Sequence, residues 1–429
     1  MNIYYILNAI LECRGMYLAD VKRDYLTMDD FNPSNKTVLV RLDLNSPIDP
    51  STGSILSEEK FWSHVETLKR LERSRTVLLS HQSRPGKKDF TTMEPHAKML
   101  RVVLRQKVTY VDDIFGSYAQ KAIEDMKVGD ILLLENVRFY SEECVERSPE
   151  EHAKTHLVRG LAPHFDLFFN DAFASVHRSH ASLMGFTEVL PSGAGKLMEK
   201  ELDVLDKVLV CADHPCIFVL GGTKAHDTLD VIENILSRDG ADKIFLTGVA
   251  ANIFLAASGV NIGAPSLQYI EKEGYSNEIP KAKALLQKFR DKIELPKDVA
   301  LSKNGERVDV SIEDLPAKYP IWDIGLETIV KFHDEIEDAN MAILHGPAGV
   351  FERENFALGT LEMMKAITKA GFSIVGGGHT GAAVQKAGLE RKVTHVSTGG
   401  NACLNVLAGK ELPGVVALKN AAKRFGGKR

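Results

Sequence analysis

The sequence predicts an α/β protein built from two doubly wound parallel-sheet domains. Three observations lead there. A chain of 429 residues is too long for one ordinary core, so two domains of roughly 200 residues each are expected. Short runs of Val, Ile, Leu and Phe recur through both halves, with helical patterns between them. These runs are nearly continuous rather than alternating, as strands buried on both faces by crossover helices must be.

The first series is TVLVRLDL from 37, TVLLSH from 76, VTYV from 108, ILLLENVRF from 131 and DLFFNDAF from 166. The second is IFVLGG from 217, KIFLTG from 243, MAILHGP from 341, FSIVGGG from 372 and VTHVSTGG from 393. Between them, PSGAGKLMEKELDVLDKVL from 191 reads as a glycine-punctuated turn entering a long connecting helix. The expected domains are 29–195 and 196–410, with a basic tail over 411–429 expected to return to the first domain. The apolar opening MNIYYILNAILE lacks a basic leader and is too short to span a bilayer. Residues 1–28 therefore read as an extension or a misassigned start, with Met16 or Met28 as the alternative first residue.

Composition narrows the function. A net charge of −5 with both signs mixed along the chain offers neither a nucleic-acid tail nor a membrane patch, so any anion site must be local. The five cysteines, Cys13, Cys144, Cys211, Cys216 and Cys403, are odd in number and scattered, which suits a reducing, cytoplasmic compartment rather than a disulfide framework. Cys211 and Cys216 flank His214 without a second ligand pair, and His177 and His180 lack carboxylate or cysteine partners, so neither group reads as a metal site.

The two series differ at their carboxyl ends, where ligands bind in open α/β sheets. In the first half those ends carry Arg41, Asp43 and Asn45; His81 and Arg84; Arg138; and Asp171, His177 and Arg178. A basic side chain in such a run is costly unless paired. The pairing is either internal, with Asp43, Glu135 and Asp171 as candidates, or to a ligand. Convergence of the cations with Asn45 favours a ligand carrying a phosphate and a carboxylate, which guanidinium forks grip. In the second half the ends carry glycines: Gly221 and Gly222, Gly248, Gly346 and Gly349, Gly376 to Gly378, Gly399 and Gly400. Such turns let backbone N–H groups face an anion at a helix start. Gly376, Gly378 and Gly381 fit the Rossmann-like dinucleotide spacing, but no acidic residue follows where a ribose would need it, and the chain has no GxxxxGK[ST] loop. A polyphosphate held by several glycine turns fits better than a nicotinamide cofactor. Lys224 would place charge on a phosphate and Glu352 would accept ribose hydroxyls.

In order over residues 37 to 414, RLDLNSP, SHQSRPG, LLENVRF, NDAFASVHRSH, LMEKEL, VLGGTK, YPIWDIG, GPAGVFE, VGGGHT and HVSTGG closely resemble the phosphoglycerate kinase family, particularly its archaeal branch. The resemblance implies reversible phosphoryl transfer between ATP and the carboxylate of 3-phosphoglycerate in glycolysis, by a hinge-bending two-domain enzyme acting as a monomer or homodimer. It implies ATP or ADP as substrate, and magnesium held mainly through the nucleotide phosphates. Carried over by position, it makes Asp43, Asn45, His81, Arg84, Arg138 and Arg178 the 3-phosphoglycerate site and Lys60, Lys224, Gly377 and Gly378 catalytic. The nucleotide site would comprise Gly221, Gly222, Lys224, Thr228, His345, Pro347, Glu352, Gly376, Gly377, Gly378, His379 and Thr380. Residues 187 to 205 and the turn Asp323 to Gly325 are the hinge candidates. The chemistry agrees, because a carboxylate acceptor is already ionised at neutral pH and needs alignment and charge neutralisation rather than a general base.

Several positions depart from the family pattern. Lys60 stands for an arginine, Ser83 for a glycine, His345 for an asparagine, His379 for an aspartate that serves as a magnesium ligand, Asn401 for a glycine and Thr228 for a second lysine. The alternative to a working kinase is therefore a paralogue with an altered acceptor, or a nucleotide-binding protein of reduced activity.

Overall fold

The computed structural model describes residues 23–210 and 213–426, so the reading of the first residues as an extension lies largely outside it, as do Cys13 and Cys211. The chain divides into two compact units, one formed by Met1–Asp203 with Pro413–Arg429 and the other by Val204–Leu412.

Every apolar run of the two series forms a strand. In the first unit these are β1 (Thr37–Arg41), β2 (Arg75–Leu79), β3 (Val108–Val111), β4 (Ile131–Leu134) and β5 (Leu167–Asn170), joined by a short β6 (Ser192–Ala194). They pair in the order β3-β4-β2-β1-β5-β6, all parallel. Val38 and Val40 enter one apolar cluster and Leu39, between them, enters another on the opposite face. Both faces are covered, which is why β1 could not alternate with polar residues. Leu26 and Met28, inside the stretch set aside as an extension, are buried in the first cluster. The helix Pro413–Phe425 also belongs to this unit: the Gly414 N–H donates to the Val176 carbonyl at 3.1 Å, and Ala417 packs with Ala172, Leu183 and Met184.

The second unit contains β7 (Cys216–Leu220), β8 (Lys243–Leu246), β9 (Ile293–Glu294), β10 (Asp298–Lys303), β11 (Glu306–Ser311), β12 (Ile321–Ile324), β13 (Met341–His345), β14 (Phe372–Gly376) and β15 (His395–Val396). Six of them form a parallel sheet in the order β15-β14-β13-β7-β8-β9. The other three form an antiparallel sheet, β11-β10-β12, which the sequence reading did not anticipate. Its signal was Asn304-Gly305, whose φ values of 54° and 90° make the two-residue turn that hairpin strands favour.

In both parallel sheets the winding reverses beside the first strand, between β1 and β5 and between β7 and β13. The residues singled out above lie in the loops at the carboxyl ends of these strands and of their neighbours in each sheet. Among the described residues no helix is long and apolar enough to cross a membrane.

Candidate active site

In the first unit, β1 delivers Arg41 and Asp43 into a buried polar cluster. Arg41 is fully buried: Nε donates to Ser182 Oγ at 2.8 Å, Nη1 donates to the Leu42 carbonyl, and Nη2 lies 3.1 Å from His81 Nδ1. A guanidinium only donates, so His81 accepts through Nδ1 and, when neutral, carries its proton on Nε2. Burial pushes His81 well below the usual histidine range, and the nearby Arg41, Arg138 and Arg178 add to the effect against the pull of Asp43. His81 is thus a neutral donor.

Asp43 is also buried, with Oδ2 3.4 Å from Lys60 Nζ and accepting from Ser175 Oγ at 3.2 Å, while Oδ1 accepts from the Asn45 N–H at 3.1 Å. Burial alone would raise its pKa, but the positive charges of Lys60 and Arg41 outweigh that and hold the carboxyl far below its ordinary range. Asn45 accepts from the Ser83 N–H at 2.8 Å and remains exposed.

The three candidate carboxylates are engaged elsewhere than on Arg84, Arg138 and Arg178. Asp43 takes Lys60. Glu135 accepts from Thr92 Oγ1 at 2.6 Å and from the Met93 N–H at 2.8 Å, at the start of helix Glu94–Leu104. Asp171 lies against His64, Nδ1 to Oδ2 at 2.8 Å. Arg138 is mostly buried, donates to the Ser83 carbonyl and leaves Nε without a hydrogen-bond partner among the described residues; burial lowers its pKa, and Arg178 and Arg41 add repulsion. Among the described residues the Arg178 side chain hydrogen-bonds His177, 3.4 Å from Nε to Nε2, and no carboxylate. Arg84 is exposed. The internal ion pairs considered for these arginines are not formed, which leaves their charge available to an anion.

Ser83 occupies a left-handed conformation, with φ of 54°. A side chain there costs about 1 kcal/mol relative to glycine. Ser83→Gly should therefore raise the unfolding free energy of this unit by about 1 kcal/mol in denaturant titration. Loss of Ser83 Oγ donating to Asp89 at 2.7 Å would reduce the gain, and a lower stability would show that this bond outweighs the strain.

In the second unit, the turns after β7, β8 and β13 are stitched by backbone bonds: Gly221 N–H to the His345 carbonyl at 2.8 Å, Gly222 N–H to Pro347 at 2.8 Å and Gly248 N–H to Ala348 at 2.9 Å. They border a cavity of about 630 Å³ lined by Gly222, Val249, Trp322, Pro347, Glu352 and His379, among others. Val299, Ile321 and Ile324 from the unforeseen sheet also line it, which gives this cavity an apolar wall.

Lys224, Thr228, His345, Gly376 to Gly378 and Thr380 do not line that cavity. Most of them gather at the end of β14. His345 Nε2 and Thr380 Oγ1 are buried and have no hydrogen-bond partner among the described residues. Both lie about 3.5 Å from the point where a Cβ on Gly377 would sit. Burial, aided by the charge of Lys224, lowers the His345 pKa to about 4, so its ring is neutral at pH 7. Lys224 Nζ donates to Asn401 Oδ1, a contact the sequence reading missed because it treated Asn401 only as a departure. Thr228 is buried and its hydroxyl donates to the Lys224 carbonyl at 3.0 Å, so it braces the first turn of helix Ala225–Ser237 rather than facing the loops.

The three glycines have three different causes. A side chain at Gly376 would sit 2.7 Å from His345 Cδ2. Gly377 has φ of 92°, a conformation that L side chains rarely adopt. At Gly378, the first residue of helix Gly378–Lys386, an added Cβ would meet nothing within 4 Å. The protein itself gives no reason for that third glycine.

No group of three or more His, Cys, Asp or Glu side chains among the described residues is arranged to hold a metal. With His379 at the helix start, this donor set does not build the all-oxygen cage that magnesium prefers.

The family model described as phosphoglycerate kinase matches residues 28–410. A phosphoglycerate kinase 2 from Methanosarcina acetivorans is 56% identical over 404 residues, spanning 94% of this chain and 97% of the relative. A crystal structure of phosphoglycerate kinase from Pyrococcus horikoshii OT3 superimposes with a TM-score of 0.87 at 40% identity, covering 93% of this chain and 100% of the other. One from Coxiella burnetii gives 0.77 at 30% identity, covering 92% and 99%. From the charged and glycine-lined strand ends to the likeness along nearly the whole chain, these findings place the chain in the phosphoglycerate kinase family.

Proposed function

We propose that the charged strand ends of the first unit bind 3-phosphoglycerate and the glycine turns of the second bind the nucleotide. The reaction is the reversible transfer of the ATP γ-phosphoryl group to the 3-phosphoglycerate carboxylate, giving 1,3-bisphosphoglycerate and ADP. Arg84, Arg138 and Arg178 grip the phosphate and carboxylate ends of 3-phosphoglycerate. Neutral His81 donates a hydrogen bond to it, and Asp43 and Asn45 meet its hydroxyl and carboxylate. The single observation that carries this reading is that those arginines reach no carboxylate within ion-pair distance among the described residues, although Arg138 is buried. Buried Glu143 attracts Arg138 only from beyond ion-pair distance, and a buried guanidinium without a close counter-charge is costly, so an anionic ligand supplies the missing partner.

In the second unit the apolar-walled cavity takes the base and ribose, with Glu352 on the ribose hydroxyls. Gly376 to Gly378, Thr380, His345 and Lys224 surround the phosphoryl group in transfer. The backbone N–H groups at the start of helix Gly378–Lys386 face its equatorial oxygens, where negative charge is spread in the transition state. Thr228 supports this loop indirectly, through the Lys224 carbonyl. Magnesium enters on the nucleotide phosphates rather than on a protein cage. We place the enzyme in the cytoplasm, as a monomer or homodimer.

The test couples 3-phosphoglycerate, ATP and magnesium to glyceraldehyde-3-phosphate dehydrogenase and follows NADH loss. Native protein should turn over robustly, and Arg178→Ala should lose at least about thirtyfold in kcat/KM for 3-phosphoglycerate, as truncating one partner of a buried charge pair costs about 2–5 kcal/mol. No turnover by native protein with ATP binding intact would instead support an altered acceptor.

A further inference from the structure

The polypeptide between β1 and β2 forms two short helices, Glu59–Ser63 and Val65–Lys69, that meet at His64. His64 is completely buried, as is Asp171 beyond the end of β5. The ring bridges two groups. Nδ1 is 2.8 Å from Asp171 Oδ2, and the Asp43 N–H donates to Nε2 at 3.1 Å. A carboxylate accepts, so Nδ1 carries the proton and the Nε2 lone pair receives the Asp43 amide. The second oxygen of Asp171 is also committed. Oδ1 accepts from the Leu197 N–H at 2.9 Å and from the Met198 N–H at 3.1 Å, in the first turn of helix Lys196–Leu209. Asp171 therefore cannot rotate without abandoning that helix start.

We propose that His64 and Asp171 are a positioning pair for Asp43, holding the backbone of the substrate-side strand end by locking one imidazole tautomer. Neither residue touches substrate. Asp43 has its carboxylate shared among Lys60, Ser175 and the Asn45 amide, so a small shift of its backbone would misplace all three contacts. A bare stabilising contact would need no such one-way arrangement. Here each hydrogen bond fixes the donor or acceptor sense of the next, from helix amide to carboxylate to imidazole to the amide of Asp43. The inference rests on the assignment of Asp43 to the 3-phosphoglycerate site.

Asp171→Asn is the informative substitution because it preserves shape. The helix amides require the oxygen of the new side chain, which leaves its NH₂ group facing His64 Nδ1. That nitrogen must then accept, the proton moves to Nε2, and two donors confront each other at Asp43. Nε2 can relieve the clash by turning to the Asp43 carbonyl, at present 3.2 Å away, which displaces the peptide. In the full-length enzyme, KM for 3-phosphoglycerate should rise about tenfold, the order expected when one buried donor is left unsatisfied. ATP affinity by calorimetry should stay within about twofold, since the nucleotide residues lie in the other unit. Imidazole ¹⁵N shifts should report the proton on Nδ1 in native protein and on Nε2 in the variant. His64→Leu, which keeps the packing but removes both hydrogen bonds, should reproduce the rise in KM if Asp171→Asn does not fold. An unchanged KM despite a switched tautomer would overturn the proposal, as would a parallel fall in ATP affinity and stability. Inactivity of the native protein toward 3-phosphoglycerate would remove the functional reading and this role with it.

Discussion

Lys60→Arg is expected to raise turnover at least about tenfold while leaving ATP affinity unchanged, because arginines that bridge a moving phosphoryl group contribute on the order of 10³ to 10⁵ in rate. Lys60 is partly exposed on the short helix Glu59–Ser63 and its ammonium sits 3.4 Å from one oxygen of Asp43. It neutralises that carboxylate as a point charge. A guanidinium at the same place could keep one N–H on Asp43 and direct the other arm of its fork at the phosphoryl oxygens. The gain belongs to the transition state, so it should appear in kcat rather than in nucleotide binding. Steady-state kinetics with calorimetric ATP titration separate the two. Unchanged turnover, or an equal change in ATP affinity, would remove Lys60 from the catalytic set.

Gly378→Ala should cost about 10² to 10³ in turnover, the scale of losing one preorganised oxyanion donor, without destabilising the fold. The side chain has room, since an added Cβ meets no atom within 4 Å, and the position opens a helix where alanine is the better former. Thermal unfolding should be unchanged or slightly later. The added methyl instead occupies the approach of the phosphoryl group to the helix N–H groups. Gly377→Ala makes a poor control, because φ of 92° penalises any side chain regardless of ligand. Full turnover in Gly378→Ala would mean that the phosphate docks elsewhere.

Strands of this kind are legible in a sequence because burial on both faces leaves only one composition that works. The loop residues were legible for a related reason: Arg138 inside ILLLENVRF and three glycines after FSIV are choices a packed core would not make. The hairpin of β10 and β11 was overlooked although Asn304-Gly305 marked it, because its flanking strands, DVALSK and ERVDVS, mix polar and apolar residues rather than forming a continuous apolar run. His64 was invisible for a deeper reason. In EKFWSHVE nothing distinguishes a buried histidine from a solvated one, and its partner Asp171 lies 107 residues away. Asp171 and Glu135 were read as possible arginine partners, yet both satisfy backbone amides at helix starts, a demand that arises only once helices have been placed in space.

The helix Pro413–Phe425 completes the first unit, where Ala417 fills a cluster with Ala172, Leu183 and Met184, although more than two hundred residues of the second unit intervene in the chain. On the ribosome the second unit is contiguous and can close its core as soon as it emerges. The first unit, begun earlier, must wait for the segment that follows the second unit before this apolar surface is covered. Synthesis order and completion order of the two units are therefore inverted, and the unit begun first stays exposed to chaperones or misassociation the longer.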